Sequence, residues 1–490
     1  MPIVNKEIYD VDLIGMSFGR QRIYTELDIT EENLKEILNN SLSVHNQNVA
    51  EMNKLINYYL GKQNILDRQT PYSSKVNNKL IINYAQSIVR DIVGYTFGKD
   101  IEYVQRKAEL IEAVEELTSI LQYEDISLVD IITATFASIC GVGYQCTLPS
   151  DDYLDETPEV GIKISHLDPR NTFVVRSYDF KNPVVLACTF YKTKTKTVYK
   201  LYDKVYRTTI VNDKMVEHKR HGLSGIPITE FENNEFLLGD FETAITILDA
   251  LNKVASDSVN DIENFVQSLL VLVNATLGDT KEERQQTKEN ITSNRILEIK
   301  SPQGLQADAK YITQQLNPQA TADLREYLEE CLWKIIGIPD RKTRGGGGGD
   351  TGDAVKLRDG WADIEVVARN KEKYFRKSKK QQLGVAINIL KIIKKIPKSL
   401  TVKDIDIKFS RNKSDNLSTK TQAYSVLTAT KTLDPIDALE IVDMTTNVNE
   451  VIRRGETYWE NKNEETNNNT PIDENKKEQN TESEGKENGR

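Results

Sequence analysis

Apolar positions recur at helical spacing at both ends of this chain and at strand spacing in a stretch between them. Residues 28–60 read as a helix. Leu34, Ile37 and Leu38 share a face, Asp28 or Thr30 supplies the cap, Glu31 and Glu32 suit the first turn, and Gly61 ends it. Residues 76–97 predict a second helix with Ile81, Ile82, Ala85, Ile88, Val89, Ile92 and Val93 as its stripe. Leu110 to Leu121 and Ile126 to Ala137 predict two more. From Gly141 the pattern changes. Segments 142–148, 161–167, 172–177, 184–191, 197–202 and 206–211 are short, rich in Val, Thr, Tyr and Ile, and broken by turn residues such as Asp168-Pro169 and Asn182-Pro183. They predict an antiparallel β unit.

Residues 241–269 carry the clearest repeat. Phe241, Ile245, Leu248, Asn252, Ala255, Val259, Ile262, Val266 and Leu269 follow 4-3-4-3 spacing behind Asp240 as N-cap. The helix would span roughly 43 Å at about 1.5 Å per residue, and its seam is apolar except at Asn252. A compact insertion follows: a strand from Leu270 to Asn274, a charged helix from Thr280 to Ile291, and strands at 295–300 and 309–314. Asn317-Pro318 opens another helix, where the missing proline N–H costs nothing, and Leu324, Leu328, Leu332, Ile335 and Ile336 line it up to Gly337 and Pro339.

Five consecutive glycines, Gly345, Gly346, Gly347, Gly348 and Gly349, come next, entered through Arg341-Lys342-Thr343-Arg344. A glycine run costs chain entropy and offers nothing to pack. A mobile basic loop between helices points to contact with a polyanion, against the alternative of a solvated linker. Thr351 or Asp353 then caps a long helix over 354–396, with Gly360 as a potential kink and Pro397 as its end. Between Arg369 and Lys380 it holds seven basic residues and one acidic residue, Glu372. That cluster reads first as a solvated face, then as a contact for an acidic neighbour or DNA. A strand at 402–410 and a helical unit at 418–453 complete the ordered pattern. From about Asn461 the chain has almost no apolar residues and is expected to be disordered.

Composition narrows the function. A net charge of −10 and a pI near 5.3 argue against a broad basic nucleic-acid face, though not against a local basic element. Cys140, Cys146, Cys188 and Cys331 have no metal-type spacing and read as free thiols in a reducing compartment. No apolar run approaches the ~20 residues of a membrane span, and Met1-Pro2-Ile3-Val4-Asn5 has no signal-peptide pattern, so a soluble, membrane-free protein is expected. Gly347 to Gly352 formally matches G-x-G-x-x-G, but a helix rather than a strand precedes it. His218-Lys219-Arg220-His221 reads as a solvated loop, and His45 and His166 stand apart. With no P-loop motif and no G-x-S-x-G, neither catalysis, cofactor nor metal is expected.

The order of parts, with several local sequences, resembles the portal proteins of tailed double-stranded-DNA bacteriophages, siphovirus type. Tyr58-Tyr59-Leu60-Gly61 and Asn83-Tyr84-Ala85-Gln86-Ser87-Ile88-Val89 to Gly94-Tyr95-Thr96-Phe97-Gly98 resemble that family's N-terminal helices. His166 to Val175 resembles its wing strand, and Ser256-Asp257 to Asp261-Ile262-Glu263-Asn264-Phe265 its stem helix. Thr351 to Leu357 with Gly360-Trp361 resembles the start of its kinked helix, and Ile407 to Asn412 the strand into the crown.

The resemblance implies an α+β, mainly helical subunit. Its parts would be an N-terminal helical and β wing region (1–239), a stem helix (240–270), a small α/β clip (271–316) and a second stem helix (317–338). A tunnel loop (339–353), a long kinked wing helix (354–397), a helical crown (398–458) and a disordered tail (459–490) would follow. It implies a homo-oligomeric ring, usually of twelve subunits, at one capsid vertex of the virion, assembled in the host cytoplasm. Double-stranded DNA would pass through it. Partners would be the terminase large subunit, a head-completion or adaptor protein, and capsid and scaffolding proteins. Arg341, Lys342, Arg344 and Gly345 to Gly349 would face DNA, with Lys342 and Arg344 on phosphates. Ile245, Leu248, Val259, Ile262, Val266 and Leu269 would pack the stem. The alternatives are a ring or scaffold protein with no DNA role and, more remotely, an enzyme built from scattered carboxylates.

Overall fold

The computed structural model describes residues 18–69, 76–150, 161–266, 269–273, 280–294, 308–312, 318–339, 361–411, 417–429, 433–442, 444 and 448–468. The chain forms two compact units, Met1–Asn412 and Lys413–Arg490. Helices and strands are mixed, with helices prevailing among the described residues. No helix among them is long and apolar enough to cross a membrane.

In the first unit, helix α1 spans Leu34–Tyr59, later than the expected start at 28. The Thr30 carbonyl accepts from the Asn33 and Leu34 amides, so residues 31–33 form a turn ahead of the helix. Gly61, at φ +82°, ends it as expected. Helix α2 is Tyr84–Phe97, and residues 76–83 are not helical despite continuing its apolar stripe. Helices α3 (Ile111–Tyr123) and α4 (Ile126–Cys140) fall where periodicity places them.

All six expected strand segments are strands, but they do not form one unit. A six-stranded sheet contains β1 (Ile23–Thr25), β5 (Thr172–Ser177), β6 (Val184–Lys192), β7 (Thr197–Tyr202), β8 (Tyr206–Val211) and β9 (Lys214–Arg220), in that spatial order. Strand β1 runs parallel to β5, and the other pairs are antiparallel. A second sheet has the order β10 (Ile228–Glu232), β3 (Val142–Pro149), β4 (Ile162–Leu167). The expected loop at 218–221 is therefore corrected: its first three residues lie on β9. Asn212 and Asp213, at φ 47° and 61°, form the primed two-residue turn that pairs β9 with β8. His218 donates or accepts at Thr208 Oγ1 (2.8 Å) and stacks on Tyr206, which satisfies it locally. Gly141 joins α4 to β3 at φ +83°, where a Cβ would lie 1.8 Å from the Leu237 carbonyl oxygen.

Helix α5 (Ile245–Val266), strand β11 (Leu269–Val273), helix α6 (Lys281–Asn294), strand β12 (Asp308–Ile312) and helix α7 (Pro318–Ile336) form one excursion. Strands β11 and β12 pair antiparallel, closing its far end. The expected strand at 295–300 lies outside the described residues. Helix α8 (Trp361–Ile392) crosses the interior, burying Ile364, Ala368, Phe375, Leu383, Ala386, Ile387 and Leu390. Its expected caps, Thr351 and Asp353, and the kink residue Gly360 lie outside the described residues. Strand β13 (Ile405–Lys408) pairs antiparallel with β2 (Glu102–Gln105).

The second unit holds α9 (Leu417–Ala429), α10 (Pro435–Val442) and α11 (Val448–Asn468), with Ala438 and Val448 buried. Helix α11 runs past 461, where disorder was expected. Lys462 sits over the Tyr458 and Trp459 rings and supplies local contacts that polar composition conceals.

Candidate functional site

The α5–α7 hairpin is the part of the fold with the most distinctive construction. At its base, Phe241, Ala244, Ile245, Leu248 and Leu251 of the α5 region join Leu332, Ile336 and Ile338 in the main apolar core. Tyr84 closes over this junction, donating to Glu329 (2.9 Å) and meeting Trp333 edge-on.

Beyond Leu251 the buried face of α5 becomes polar. Asn252, Ser256 and Asn260 are buried, and each accepts a backbone N–H from segment 76–83. The bonds are Ile82 N to Asn252 Oδ1 (2.7 Å), Leu80 N to Ser256 Oγ (2.9 Å) and Asn78 N to Asn260 Oδ1 (2.8 Å). Four helical residues rise about 6 Å and two extended residues about 6.6 Å. Every fourth α5 side chain therefore meets every second backbone amide. This is why 76–83 stays extended although Ile81 and Ile82 fit a helical stripe: side chains of α5 take the amides that an intrahelical bond would use. Asn252 Nδ2 also donates to Gln63, which bonds Asn83 and the Tyr58 carbonyl. Asp249 accepts from Tyr58 and Asn64, Arg68 pairs with Asp257 (2.5 Å), and Asn78 donates to Glu263. Burial, reinforced by the Asp249 charge, pushes the Tyr58 hydroxyl far above its ordinary range.

The expected stem-packing residues divide accordingly. Ile245 and Leu248 are buried within the chain, Val259 is half-buried, and Ile262 is 58 % exposed. The side chains of Val266 and Leu269 lie outside the described residues, and Leu269 belongs to β11 rather than to the helix. Leu324, Tyr327 and Ile335 of α7 are also exposed. The four-residue spacing of Asn252, Ser256 and Asn260 is visible in the sequence, whereas the backbone they grip is not.

The proposed DNA-facing residues Arg341, Lys342, Arg344 and Gly345 to Gly349 lie outside the described residues. The other basic candidate is described and is divided between an exposed face (Arg369, Lys373, Lys377, Lys380) and inward-reaching residues. Lys371 pairs with Asp240 (2.7 Å) and Lys377 with Glu232 (2.8 Å). Lys379 is fully buried against Asp130 (2.7 Å), which also accepts from Gln145. Burial lowers the Lys379 pKa, and Asp130 opposes that. Arg376 covers the Phe409 ring, and Arg369 pairs with Glu365. Arg411 bonds both Glu365 and Glu372. Burial would raise the Glu365 carboxyl, but hydrogen bonds from Arg411, Tyr95 and Arg369 outweigh it and bring the pKa to about 2. The solvated-face reading of 369–380 holds for Arg369, Lys373, Lys377 and Lys380, which are exposed, whereas Lys371 and Lys379 turn inward to buried carboxylates distant in sequence.

Cys140 and Cys188 are buried, Cys146 and Cys331 half-buried, and all four are free. Burial pushes the Cys140 and Cys146 thiols up to about 12, far from nucleophilic use. Among the described residues, no group of His, Cys, Asp and Glu has a metal-binding arrangement.

Comparison with known proteins adds three matches. The family model described as "Phage portal protein, SPP1 Gp6-like" matches residues 38–484. The portal protein of Bacillus phage SPP1 is 20 % identical over 367 residues, covering 67 % of this chain and 69 % of that protein. A chain from the neck of an empty GTA particle, computed with C6 symmetry, aligns at a TM-score of 0.46 and 12 % identity, covering 74 % of this chain and 90 % of that one.

Proposed function

This chain belongs to the SPP1 Gp6-like phage portal protein family, and we propose from that premise how its parts serve a channel at one vertex of a phage capsid. The observation that carries the reading is the family match across residues 38–484, which takes in both described units. Copies of the chain form a closed ring. Ile262, Leu324, Tyr327 and Ile335, exposed on the hairpin, are covered by neighbouring copies, since apolar side chains of this size gain free energy on leaving water. The small β11–α6–β12 tip is the clip. It docks the packaging motor during filling and head-completion and tail proteins afterwards.

DNA passes through the ring and is not held. A net charge of −10 keeps phosphates from sticking, because tight DNA binding pairs phosphate with Lys and Arg. The loop 339–353 brings Lys342 and Arg344 to the channel as local, sequence-independent phosphate contacts. The pairing of Lys371, Lys377 and Lys379 with Asp240, Glu232 and Asp130 supports that assignment, because it commits part of the other basic cluster to partners within the chain. The protein itself hydrolyses nothing and uses no cofactor.

Native mass and electron-microscope class averages of the purified protein test the ring. Rings of about a dozen subunits with a central hole are expected. A compact dimer without a hole, unchanged by salt and concentration, would overturn the reading. The loop assignment has its own test: Lys342→Ala with Arg344→Ala should impair DNA packaging or retention while rings still assemble. Normal packaging by the double variant would remove the loop as a DNA contact.

A further inference from the structure

The six-stranded sheet is charged oppositely at its two ends. At the β9 end, residues 192–220 hold nine basic and three acidic residues, in a chain that is acidic as a whole. Lys192, Lys194, Lys196, Lys200, Lys204 and Lys214 are exposed there, and among the described residues none of them has a salt bridge. The nearby carboxylates are already engaged. Glu217 pairs with Arg207 and Lys219 (3.0 Å each), and Asp203 accepts the Val205 and Tyr206 amides. At the β1 end the sign reverses. Residues 26–36 hold five acidic residues and one basic residue. Glu26, Asp28, Glu31, Glu32 and Glu36 are exposed, and among the described residues they too have no salt bridge.

Each end also exposes apolar side chains. The parallel pairing of Thr25 with Ser177 brings residues 26–28 out beside the β5–β6 turn. Tyr178 of that turn stacks on Tyr24 (4.9 Å), and Phe180 is 91 % exposed. At the β9 end Tyr191, Val205, Met215 and Val216 are exposed, Val216 by 67 %. Lysines on an edge strand commonly keep it from pairing with another chain. Here they reach past the edge to Lys200 on β7 and to the β6–β7 turn, so edge protection does not account for them. A nucleic acid would be drawn to the lysines but would gain nothing from the apolar residues set among them.

The two ends lie five strand spacings apart, roughly 24 Å at about 4.8 Å each. That is beyond the ~10 Å screening length at about 0.1 M salt, so they do not neutralise one another within one chain. A second copy can supply what each end lacks. Two β9 ends repel, two β1 ends repel, and only unlike ends attract. This sign pattern disfavours twofold pairing of like surfaces and favours head-to-tail succession, the kind of contact that generates rings. We propose that the basic β9 end of the sheet docks on the acidic β1 end of the next copy, with Phe180 and Val216 among the apolar residues covered. The inference rests on the ring reading and adds to it a second contact, distinct from the exposed apolar face of the α5–α7 hairpin.

The test begins with wild-type rings, identified by native mass. Rings assembled from isotope-labelled and unlabelled chains are treated with a carbodiimide, which couples a lysine amine to a touching carboxylate as an amide. Peptides joining 192–214 of one copy to 26–36 of another are expected, in mixed-isotope form. Charge reversal supplies an independent readout. Lys192→Glu with Lys200→Glu and Lys214→Glu makes both ends acidic. Glu26→Lys with Glu31→Lys and Glu32→Lys makes both ends basic. Each triple variant should need about tenfold more protein to half-assemble, while the unassembled chain keeps its melting temperature. An equal mixture of the two should assemble as wild type does, because unlike ends are again available. Wild-type assembly by each variant alone, or no rescue on mixing, would overturn the proposal and leave the ring reading standing. So would lysine cross-links that reach only other carboxylates. Loss of DNA packaging by the lysine variant with unchanged ring assembly would overturn it in favour of a nucleic-acid surface. Absence of rings from the wild-type chain would overturn both readings.

Discussion

The two halves of α5 are held in opposite ways. From Ile245 to Leu251 the helix is fixed by apolar burial, and from Asn252 to Asn260 by directed hydrogen bonds to an extended segment. Apolar contact is non-directional and tolerates small rotations. A donor–acceptor bond weakens steeply once its angle or length is lost. The lower half therefore supplies most of the adhesion, and the upper half supplies the register. Sequence periodicity alone makes the two halves look alike, because a 4-3-4-3 repeat runs through both.

Graded substitutions should separate the two mechanisms. Leu248→Ala, in the fully packed half, should cost about 2–5 kcal/mol of unfolding free energy, read by denaturant titration. A loss under about 1 kcal/mol would show that this end of the helix is not a core element. In the polar half, Asn252→Leu keeps the volume but strands the Ile82 amide and Gln63. It should cost about 1–3 kcal/mol and increase hydrogen exchange across 78–82 selectively. Uniform exchange across the whole first unit would mean that the hydrogen bonds do not set the local structure.

A pH effect of similar size arises outside α5 and serves as a control. Burial lowers the His45 pKa from 6.5 to about 4, against an opposing bond to the Arg170 carbonyl. Below pH 6.5 the unfolded chain takes up a proton that the folded chain refuses. Stability should therefore fall as pH drops from 6.5 toward 4, by on the order of 2–3 kcal/mol at the lower end. A variant lacking the imidazole, His45→Gln, should flatten that part of the curve. Asn252→Leu should leave its slope unchanged, since neither of its side chains titrates. The smallest effect on folding belongs to the exposed residue. Ile262→Ser should move monomer stability by no more than about 0.5 kcal/mol while weakening ring formation, read as native mass. Intact rings from this variant would place the subunit contact elsewhere.

These contrasts mark what could be read from the chain. Helices α3 and α4, and β3 to β8, announce themselves because their burial follows local periodicity. Segment 76–83 does not, because its conformation is decided by side chains near residues 252–260. Strand β10 hides for a related reason. Glu230 and Glu232 read as surface residues, yet Arg22, Arg176 and Lys377 neutralise them in the interior. The basic run on α8 misleads in the same direction: Asp130, Glu232 and Asp240 are invisible from residues 369–380. The α5–α7 hairpin was legible as two helices around an insertion, but the division of α5 into apolar and polar halves was not. In each case a long-range polar partner overrode a local pattern.

The pairing of β13 with β2 also has a consequence for synthesis. Arg106 and Asp406, joined beside that ladder, are separated by 300 residues. At about 5–20 residues per second, β2 waits about 15–60 s on the ribosome before its partner strand has been made. Throughout that interval β2 has an open edge, and Tyr103, buried in the finished fold, lacks its cover. Limited proteolysis of ribosome-stalled chains should find the region around 102–105 cleavable until residue 408 has emerged, and protected afterwards. The first unit is thus completed late in synthesis, only once its last strand has emerged, and the waiting chain is a natural client for chaperones.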